Sequence, residues 1–229
     1  MKNCIWACVL GLSLLPGCEE KKNDAAIKFT VNADYPPFEY FENGKIVGFD
    51  IELAQLVGEK IKKQVVFEDM QFSAAIAAVK SGAADAAISA IAATDERREN
   101  FDFTDEYYFD SFSAVYKEDN PVTSKDQLAK VKVICQLGTT MELWLRQQIP
   151  DVSLTMVDNN NQAIESLKAG HTECVFMDTL QASTFCKKNP ELRYSKIAKS
   201  DSGYSIALKK GSPLREEMNK ALKELESEG

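Results

Sequence analysis

The chain has 229 residues, of which 45% are hydrophobic and 27% are charged, and its formal net charge is −8. This composition suffices for one large or two small hydrophobic cores and argues against a disordered or fibrous protein. An acidic protein is poorly suited to bind nucleic acid or anionic lipid, so we expect neither as a partner.

The first predicted element is a signal peptide at residues 1–18. It has a charged start and an apolar run at residues 5–15, which is too short for a permanent membrane helix and suits a removable export signal. The segment ends in L-P-G-C, which resembles a bacterial lipobox and predicts lipidation of Cys18, with simple secretion as the alternative. Residues 19–26 are polar and form a predicted tether.

After the tether, short β-rich runs alternate with amphipathic stretches of helical period, which is typical of α/β layers around largely parallel sheets. We predict strands at residues 27–32, 64–68, 85–90, 112–117, 131–136, 153–157, 173–177 and 204–208. We predict helices at residues 49–61, 73–81, 95–100, 124–129, 140–148, 160–169, 179–188 and 213–227.

Two segments repeat one αβ pattern in the two halves of the chain. Residues 79–89 and 167–178 each contain a helix end, a glycine suited to a left-handed cap, an acidic residue three positions later and an apolar strand. The strands end at Ala90 and Asp178, and ligands gather at the carboxyl ends of strands in open α/β sheets. The pattern favours two similar lobes that face a cleft; the alternative is a chance similarity between two common αβ units.

Three cysteines follow the signal segment: Cys135, Cys174 and Cys186. At most one disulfide can join them, and their spacing matches neither a zinc site nor a redox pair, so we expect structural thiols. The one histidine, His171, follows a glycine in a predicted turn and is expected at the surface. A histidine-based metal site or a Ser-His-Asp triad is hard to build from it, so we expect no metal, no cofactor and no catalytic residue.

Five ordered segments carry a resemblance to a known family: Y-P-P-F-E-Y at 35–40, G-F-D-I-E-L-A at 48–54, T-D-E-R-R at 94–98, F-T-D-E-Y-Y at 103–108 and Q-L-G-T-T at 136–140. They resemble motifs of the bacterial extracellular solute-binding proteins of family 3, periplasmic polar amino-acid-binding proteins of ABC transporters, of the arginine/glutamine type. The resemblance implies an α/β, type II periplasmic-binding-protein fold with two lobes joined by two hinge crossings. Lobe 1 is expected from residues 27–108 and 203–229, and lobe 2 from residues 113–198.

The resemblance also implies how a free amino acid is held. Its α-carboxylate is expected at Arg97, whose planar guanidinium matches a carboxylate bidentately, and at the backbone N–H groups of Ala92 and Thr140. Its α-ammonium is expected at Asp178, aided by the carbonyl oxygen of Ala90. Without the resemblance, an exposed salt bridge for the arginine and a helix N-cap for the aspartate are the alternatives.

The ligand's side chain is expected between the rings of Tyr35 and Phe72. The alternative is that both rings are ordinary packed aromatic residues. Its far end is expected near Asn32, Ser89, Gln136 and Met141. None of these four side chains is charged, which weakens the case for a cationic ligand, whereas the acidic net charge favours one. Arginine and glutamine therefore rank together as ligands.

The implied function is that of the substrate-binding component of an amino-acid importer, which captures arginine or glutamine by two-lobe closure and passes it to the membrane permease of an ABC transporter. We expect a monomer in the periplasm or at the cell surface, lipid-anchored to a membrane, and not an enzyme. The alternative is a periplasmic cyclohexadienyl or arogenate dehydratase on the same fold. Such an enzyme needs an extra acid in the pocket as a proton donor, and the sequence predicts none there.

Overall fold

The structure is a computed structural model that describes residues 26–229. The predicted signal peptide with Cys18, and residues 19–25 of the predicted tether, lie outside the described residues. Among the helices of residues 26–229, none is both long enough and apolar enough to cross a bilayer.

Strands and helices alternate along most of the chain, as the sequence predicts. The strands are β1 (Ala26–Val31), β2 (Asp34–Tyr35), β3 (Glu39–Glu42), β4 (Lys45–Val47), β5 (Gln64–Asp69), β6 (Ala86–Ala87), β7 (Phe101–Phe103), β8 (Ser111–Lys117), β9 (Lys132–Gln136), β10 (Ser153–Val157), β11 (Cys174–Asp178), β12 (Leu192–Lys199) and β13 (Ala207–Lys209). The helices are α1 (Phe49–Lys60), α2 (Phe72–Ser81), α3 (Asp95–Asn100), α4 (Lys125–Leu128), α5 (Thr140–Gln148), α6 (Asn160–Ala169), α7 (Thr179–Lys188) and α8 (Leu214–Glu228).

The first sheet has the strand order β5-β1-β6-β13-β7. β1 pairs in parallel with β5 on one side and with β6 on the other, and β13 is antiparallel to both of its neighbours. The chain therefore leaves β1 in one direction and returns on its other side, which creates a topological switch point at the carboxyl end of β1. Apolar residues of α1 and α8 cover one face and those of α2 cover the other.

The second sheet repeats this arrangement with the order β10-β9-β11-β8-β12. β9 pairs in parallel with β10 and β11, so it lies at a second switch point, and β8 is antiparallel to both of its neighbours. Apolar side chains of α5 pack on one face and those of α6 and α7 on the other. Mixed sheets with helices on both faces confirm the predicted α/β class.

Five strands were not predicted: β2, β3, β4, β7 and β12. β2, β3 and β4 form a small antiparallel sheet in a segment that reads as an aromatic loop with an N-G turn. β12 is one of the two edge strands of the second sheet, and only one of its eight residues is buried, so it lacks the apolar run on which strand prediction depends. The predicted strand at 85–90 is regular only over Ala86–Ala87, because the chain turns to positive φ at Ala90.

The repeated αβ pattern is present in three dimensions. α2 and α6 both end at a left-handed residue, Gly82 at φ 81 and Gly170 at φ 79. Each helix leads into a parallel strand beside the switch point of its own sheet. The two halves are therefore similar in topology as well as in sequence.

The three described cysteines are free thiols, with Cys135 and Cys174 buried and Cys186 half-buried. His171 is exposed, as predicted. No cluster of three or more histidine, cysteine, aspartate or glutamate side chains within residues 26–229 is arranged to hold a metal ion.

Candidate functional site

The carboxyl ends of strands from the two sheets meet around one pocket. The lining residues are Asn32, Tyr35, Glu39, Phe72, Ser89, Ala90, Arg97, Gln136, Thr139, Thr140, Met141 and Asp178. The structure therefore brings ten of the eleven predicted binding residues together, misses Ala92, and adds Glu39 and Thr139.

Arg97 is held by the short helix α3 at one side of the pocket. The side chain of Thr94 caps this helix and accepts a hydrogen bond from the Arg97 backbone N–H at 3.2 Å. The Nη1 atom of Arg97 donates a hydrogen bond to the carbonyl oxygen of Ala92, and its Nη2 atom donates one to the carbonyl oxygen of Gly138, both at 2.9 Å. Burial lowers the pKa of Arg97 to about 10, so it stays cationic at neutral pH. A guanidinium has five N–H donors, so some remain for a ligand's carboxylate.

Ala92, whose backbone N–H group is predicted to bind the ligand, is absent from the lining residues. Its side chain is buried beside Tyr204, with which it forms an isolated β-bridge. Its carbonyl oxygen is used by the guanidinium of Arg97. The carbonyl group of Ala92 thus orients the arginine, and the role of its N–H group stays a prediction.

Asp178 ends β11 on the opposite side of the pocket and is only 5% exposed. Burial raises its pKa to about 7, although a hydrogen bond that the Tyr35 hydroxyl donates to its Oδ2 acts in the other direction. It precedes α7 as the N-cap residue, but its side chain makes no capping hydrogen bond. The carboxylate is therefore available to the pocket and is not spent on the helix end.

Phe72 and Tyr35 supply the aromatic walls. Phe72 begins α2 and is 7% exposed, and Tyr35 is 6% exposed. The Cζ atom of Arg97 lies 5.6 Å from the centroid of the Phe72 ring, which is within the range of a cation–π contact. A planar ligand group can therefore lie against an aromatic face near the predicted carboxylate site.

Glu39 is the main lining residue that the sequence did not predict. It lies on β3 directly opposite Tyr35 on β2 in antiparallel register, and directly opposed residues project from the same face of a sheet. Its side chain is 1% exposed, and its Oε1 accepts a hydrogen bond from Ser89 Oγ at 2.6 Å, whereas its Oε2 has no partner. Once Tyr35 is assigned to the pocket, a hairpin register for P-P-F-E would have found Glu39.

Glu39 belongs to a hydrogen-bonded group at the predicted side-chain end of the ligand. The Oγ atom of Ser89 accepts from the backbone N–H of Asn32 at 3.0 Å while its own hydrogen goes to Glu39. Asn32 Oδ1 in turn accepts from Gln136 Nε2 at 3.0 Å. The side-chain end of the pocket, where the sequence predicts only uncharged residues, therefore contains a buried carboxyl group.

The start of α5 completes the wall on the side of the second sheet. Thr140 and Met141 begin this helix, as predicted, and Thr139 is its N-cap residue. The hydroxyl of Thr139 donates to the carbonyl oxygen of Gln136 at 2.7 Å and makes no capping bond to the helix. The N–H groups of the first helical turn are thus left without a side-chain cap at the pocket wall, where they favour an anion.

Four hydrogen bonds across the pocket hold the two sheets together. They join Tyr35 to Asp178, Gln136 to Asn32, Arg97 to the carbonyl oxygen of Gly138, and Gln181 to the carbonyl oxygen of Pro36. Each bond has one partner on the side of the first sheet and one on the side of the second. The arrangement described here is therefore a closed one.

Comparison with known proteins identifies relatives along nearly the whole described chain. The family profile of the bacterial extracellular solute-binding proteins, family 3, matches residues 27–229. The arginine-binding extracellular protein ArtP of Bacillus subtilis (strain 168) is 34% identical over 203 residues, which make up 86% of this chain and 80% of that protein.

Two solved structures of similar fold hold amino acids. The amino acid ABC transporter substrate-binding protein AbpA from Streptococcus pneumoniae, bound to L-arginine, has a TM-score of 0.83 and 32% identity and covers 90% of each chain. An ancestral arginine-binding protein bound to glutamine has a TM-score of 0.85 and 35% identity and covers 90% of this chain and 93% of its own. These matches confirm the predicted two-lobed periplasmic-binding-protein fold.

Proposed function

This chain belongs to the bacterial extracellular solute-binding proteins, family 3, and we propose that it captures free L-arginine, with L-glutamine as the second candidate, for delivery to the permease of an ABC transporter. A relative named as arginine-binding and similar structures that hold arginine or glutamine support this choice. Arginine therefore ranks above glutamine, whereas the sequence alone ranks the two together.

The unpaired carboxyl oxygen of Glu39 carries that ranking. A free amino acid is a zwitterion, and its enclosure is tolerable only if each charge meets a partner. In the proposed pose Arg97 pairs with the α-carboxylate and Asp178 with the α-ammonium. Arginine brings a further cation, and Glu39 is the remaining acidic residue of the pocket wall. Its Oε2 is buried without a hydrogen-bond donor, and a guanidinium would supply one.

Glutamine remains the second candidate because of two amides at the same end of the pocket. Asn32 and Gln136 are hydrogen-bonded to each other across the two sheets. Either amide can exchange this bond for one to the side-chain amide of glutamine, since each carries both donors and an acceptor.

We further propose that residues 27–108 and 203–229 move as one lobe against residues 113–198. The two crossings between these segments lie side by side, where Tyr204 forms isolated β-bridges with Ala92 and Tyr108. A ligand whose carboxylate and ammonium are bound by different lobes stabilises the closed arrangement, and a permease can then recognise that shape.

The decisive experiment is a titration of the purified protein with each of the twenty amino acids, followed by thermal shift and calorimetry. A ligand that binds only the folded state raises the melting temperature by linkage, and arginine should give the largest rise, followed by glutamine. If no amino acid raises it, the proposed function is wrong; a larger rise with glutamine than with arginine would reverse the ranking.

The relatives are solute-binding proteins, and the chain is not an enzyme of the dehydratase type. The sequence predicts no additional acid in the pocket, and this prediction is wrong, because Glu39 lines it. A missing proton donor therefore does not exclude such an enzyme. The conclusion therefore rests on the family and on the bound amino acids of its relatives.

We also propose that the protein acts as a monomer, lipid-anchored through Cys18 at the outer face of a membrane. The L-P-G-C sequence and the polar residues 19–26 support this. Metabolic labelling with a fatty acid should mark the parent protein but not a Cys18→Ser variant. Equal labelling of both would contradict the anchor, and a dimer in light scattering would contradict the monomer.

A further inference from the structure

Two carboxyl groups are buried next to each other behind the pocket wall. Glu39 is 1% exposed and Asp50, on α1, is fully buried. Both oxygens of Asp50 accept hydrogen bonds: Oδ1 from the hydroxyl of Tyr107 at 2.9 Å, and Oδ2 from the backbone N–H of Ala90 at 2.8 Å. Glu39 has a donor only at Oε1, from Ser89.

This difference decides which carboxyl group holds a proton. Two like charges in a site of low dielectric cannot both remain ionised without a cation, and hydrogen-bond donors favour the ionised form of the group they contact. Burial raises the pKa of Glu39 well above its usual value, and the charges of Asp50 and Asp34 act in the same direction. The pKa of Asp50 rises only to about 6, because hydrogen bonds from the Ala90 N–H, the Tyr107 hydroxyl and the Glu39 carboxyl group oppose the effect of its burial.

We propose that Glu39 carries a proton in the empty pocket and that only a cationic side chain displaces it, so that the choice between cationic and neutral amino acids depends on pH. The inference rests on the proposed function, because it assumes an amino acid in this pocket. It adds Asp50 as a positioning residue, which acts on the ligand only through Glu39.

The exchange is balanced in charge and atoms. When a guanidinium enters, the O–H bond at Glu39 Oε2 breaks heterolytically, the proton leaves to bulk water, and the carboxylate accepts N–H bonds from the ligand. When a neutral amide or urea group enters, the carboxyl group keeps its proton and donates it in a hydrogen bond to the ligand's carbonyl oxygen. Asp178 also loses its proton to bulk water whenever a ligand's α-ammonium group binds beside it, since burial has raised its pKa to about 7. Every amino acid displaces the proton of Asp178, so only the difference in proton release between two ligands measures the protonation of Glu39.

Arginine and citrulline form the matched pair for the test. They have the same shape and differ at the side-chain end, where arginine carries a cationic guanidinium and citrulline a neutral urea. Calorimetric titrations in buffers of different ionisation enthalpy, between about pH 5.5 and about pH 8.5, count the protons released. Arginine should release up to one proton more than citrulline. The ratio of the Kd for citrulline to the Kd for arginine should rise by up to about tenfold per pH unit while Glu39 is protonated in the free protein.

Variants identify the group. Glu39→Gln should make the Kd ratio independent of pH and remove the extra proton. Asp50→Asn removes the neighbouring charge, so the rise of the ratio should shift to lower pH. A parent protein that binds neither ligand contradicts the choice of arginine in the proposed function. A parent that binds both with equal proton release contradicts only this inference, and that measurement requires no variant to fold.

Discussion

Gln136 Nε2 donates to Asn32 Oδ1 at 3.0 Å and thereby connects the ends of two strands that belong to different sheets. The same Nε2 donates to the carbonyl oxygen of Asp158 at 2.9 Å, which fixes the amide on its own sheet. Gln136 was predicted only as a ligand contact. Its bonds give it a second role in stabilising the closed arrangement.

The first prediction follows from this bond. In Gln136→Ala, the free protein should be closed less often, so its radius of gyration in small-angle X-ray scattering should exceed that of the parent. Arginine should restore the compact form with an affinity roughly tenfold lower, because part of the binding free energy now closes the lobes. Gln162→Ala, in an exposed side chain on α6, is the matched control and should change neither quantity. An unchanged radius for Gln136→Ala would show that the bond does not hold the lobes.

The second prediction compares two neighbouring arginines. Arg97→Ala should weaken amino-acid binding by 100-fold or more, since loss of one member of a buried charge pair costs about 2–5 kcal/mol. Arg98 is exposed, and its Nε donates to the carbonyl oxygen of Ala93 at 3.0 Å. Arg98→Ala should therefore bind within a few-fold of the parent. Calorimetry on both variants tests the pair, and equal losses would mean that the carboxylate site is elsewhere.

The third prediction concerns pH and the stability of the ligand-free protein. Burial raises the pKa values of Asp34 and Asp178 to about 7 and that of Asp50 to about 6. The folded state then binds more protons than the unfolded state between about pH 4 and about pH 7, so the free energy of unfolding falls as the pH rises through this window. The fall amounts to at most about 1.4 kcal/mol per pH unit for each such group.

Urea denaturation at about pH 5 and about pH 8 measures this fall. Asp34 is outside the pocket wall and has a buried oxygen without a partner, so Asp34→Asn should make the dependence shallower without removing the pocket's acids. A free protein that becomes more stable on going from pH 5 to pH 8 would contradict the prediction.

The fourth prediction concerns Gly48, which precedes α1. Its φ is 125°, and a Cβ atom there would lie 2.3 Å from the carbonyl oxygen of Phe38 in the segment that leads to Glu39. Gly48→Ala should therefore destabilise the protein by more than about 2 kcal/mol, because both backbone segments must move. Gly44 also has a positive φ, 75°, but no atom lies within 4 Å of an added Cβ. Gly44→Ala should lower the free energy of unfolding by only about 1 kcal/mol. If urea denaturation shows equal losses of stability for the two variants, the clash is excluded as the cause.

The sequence predicted most of the fold because helices and buried strands have distinct periods. It failed where a strand lacks a buried apolar run, as at Leu192–Lys199, or where pairing alone makes the strand, as at Glu39–Glu42. The second failure also hid the charge at the side-chain end of the pocket. Glu39 faces the pocket because it pairs with Tyr35 in the hairpin. Strand ends and aromatic motifs in the sequence do not reveal that pairing.

The place of β13 inside the first sheet determines when each half of the molecule can be completed. β13 pairs with β6 on one side and β7 on the other, yet the ribosome makes it only after the whole of the second sheet. Residues 111–199 therefore contain every strand of the second sheet, whereas the first sheet keeps an open seam until residue 209 has been made. A chain cut before that point would expose the unpaired edges of β6 and β7. Truncation near the carboxyl terminus would thus harm the lobe that was started first and leave the later one complete.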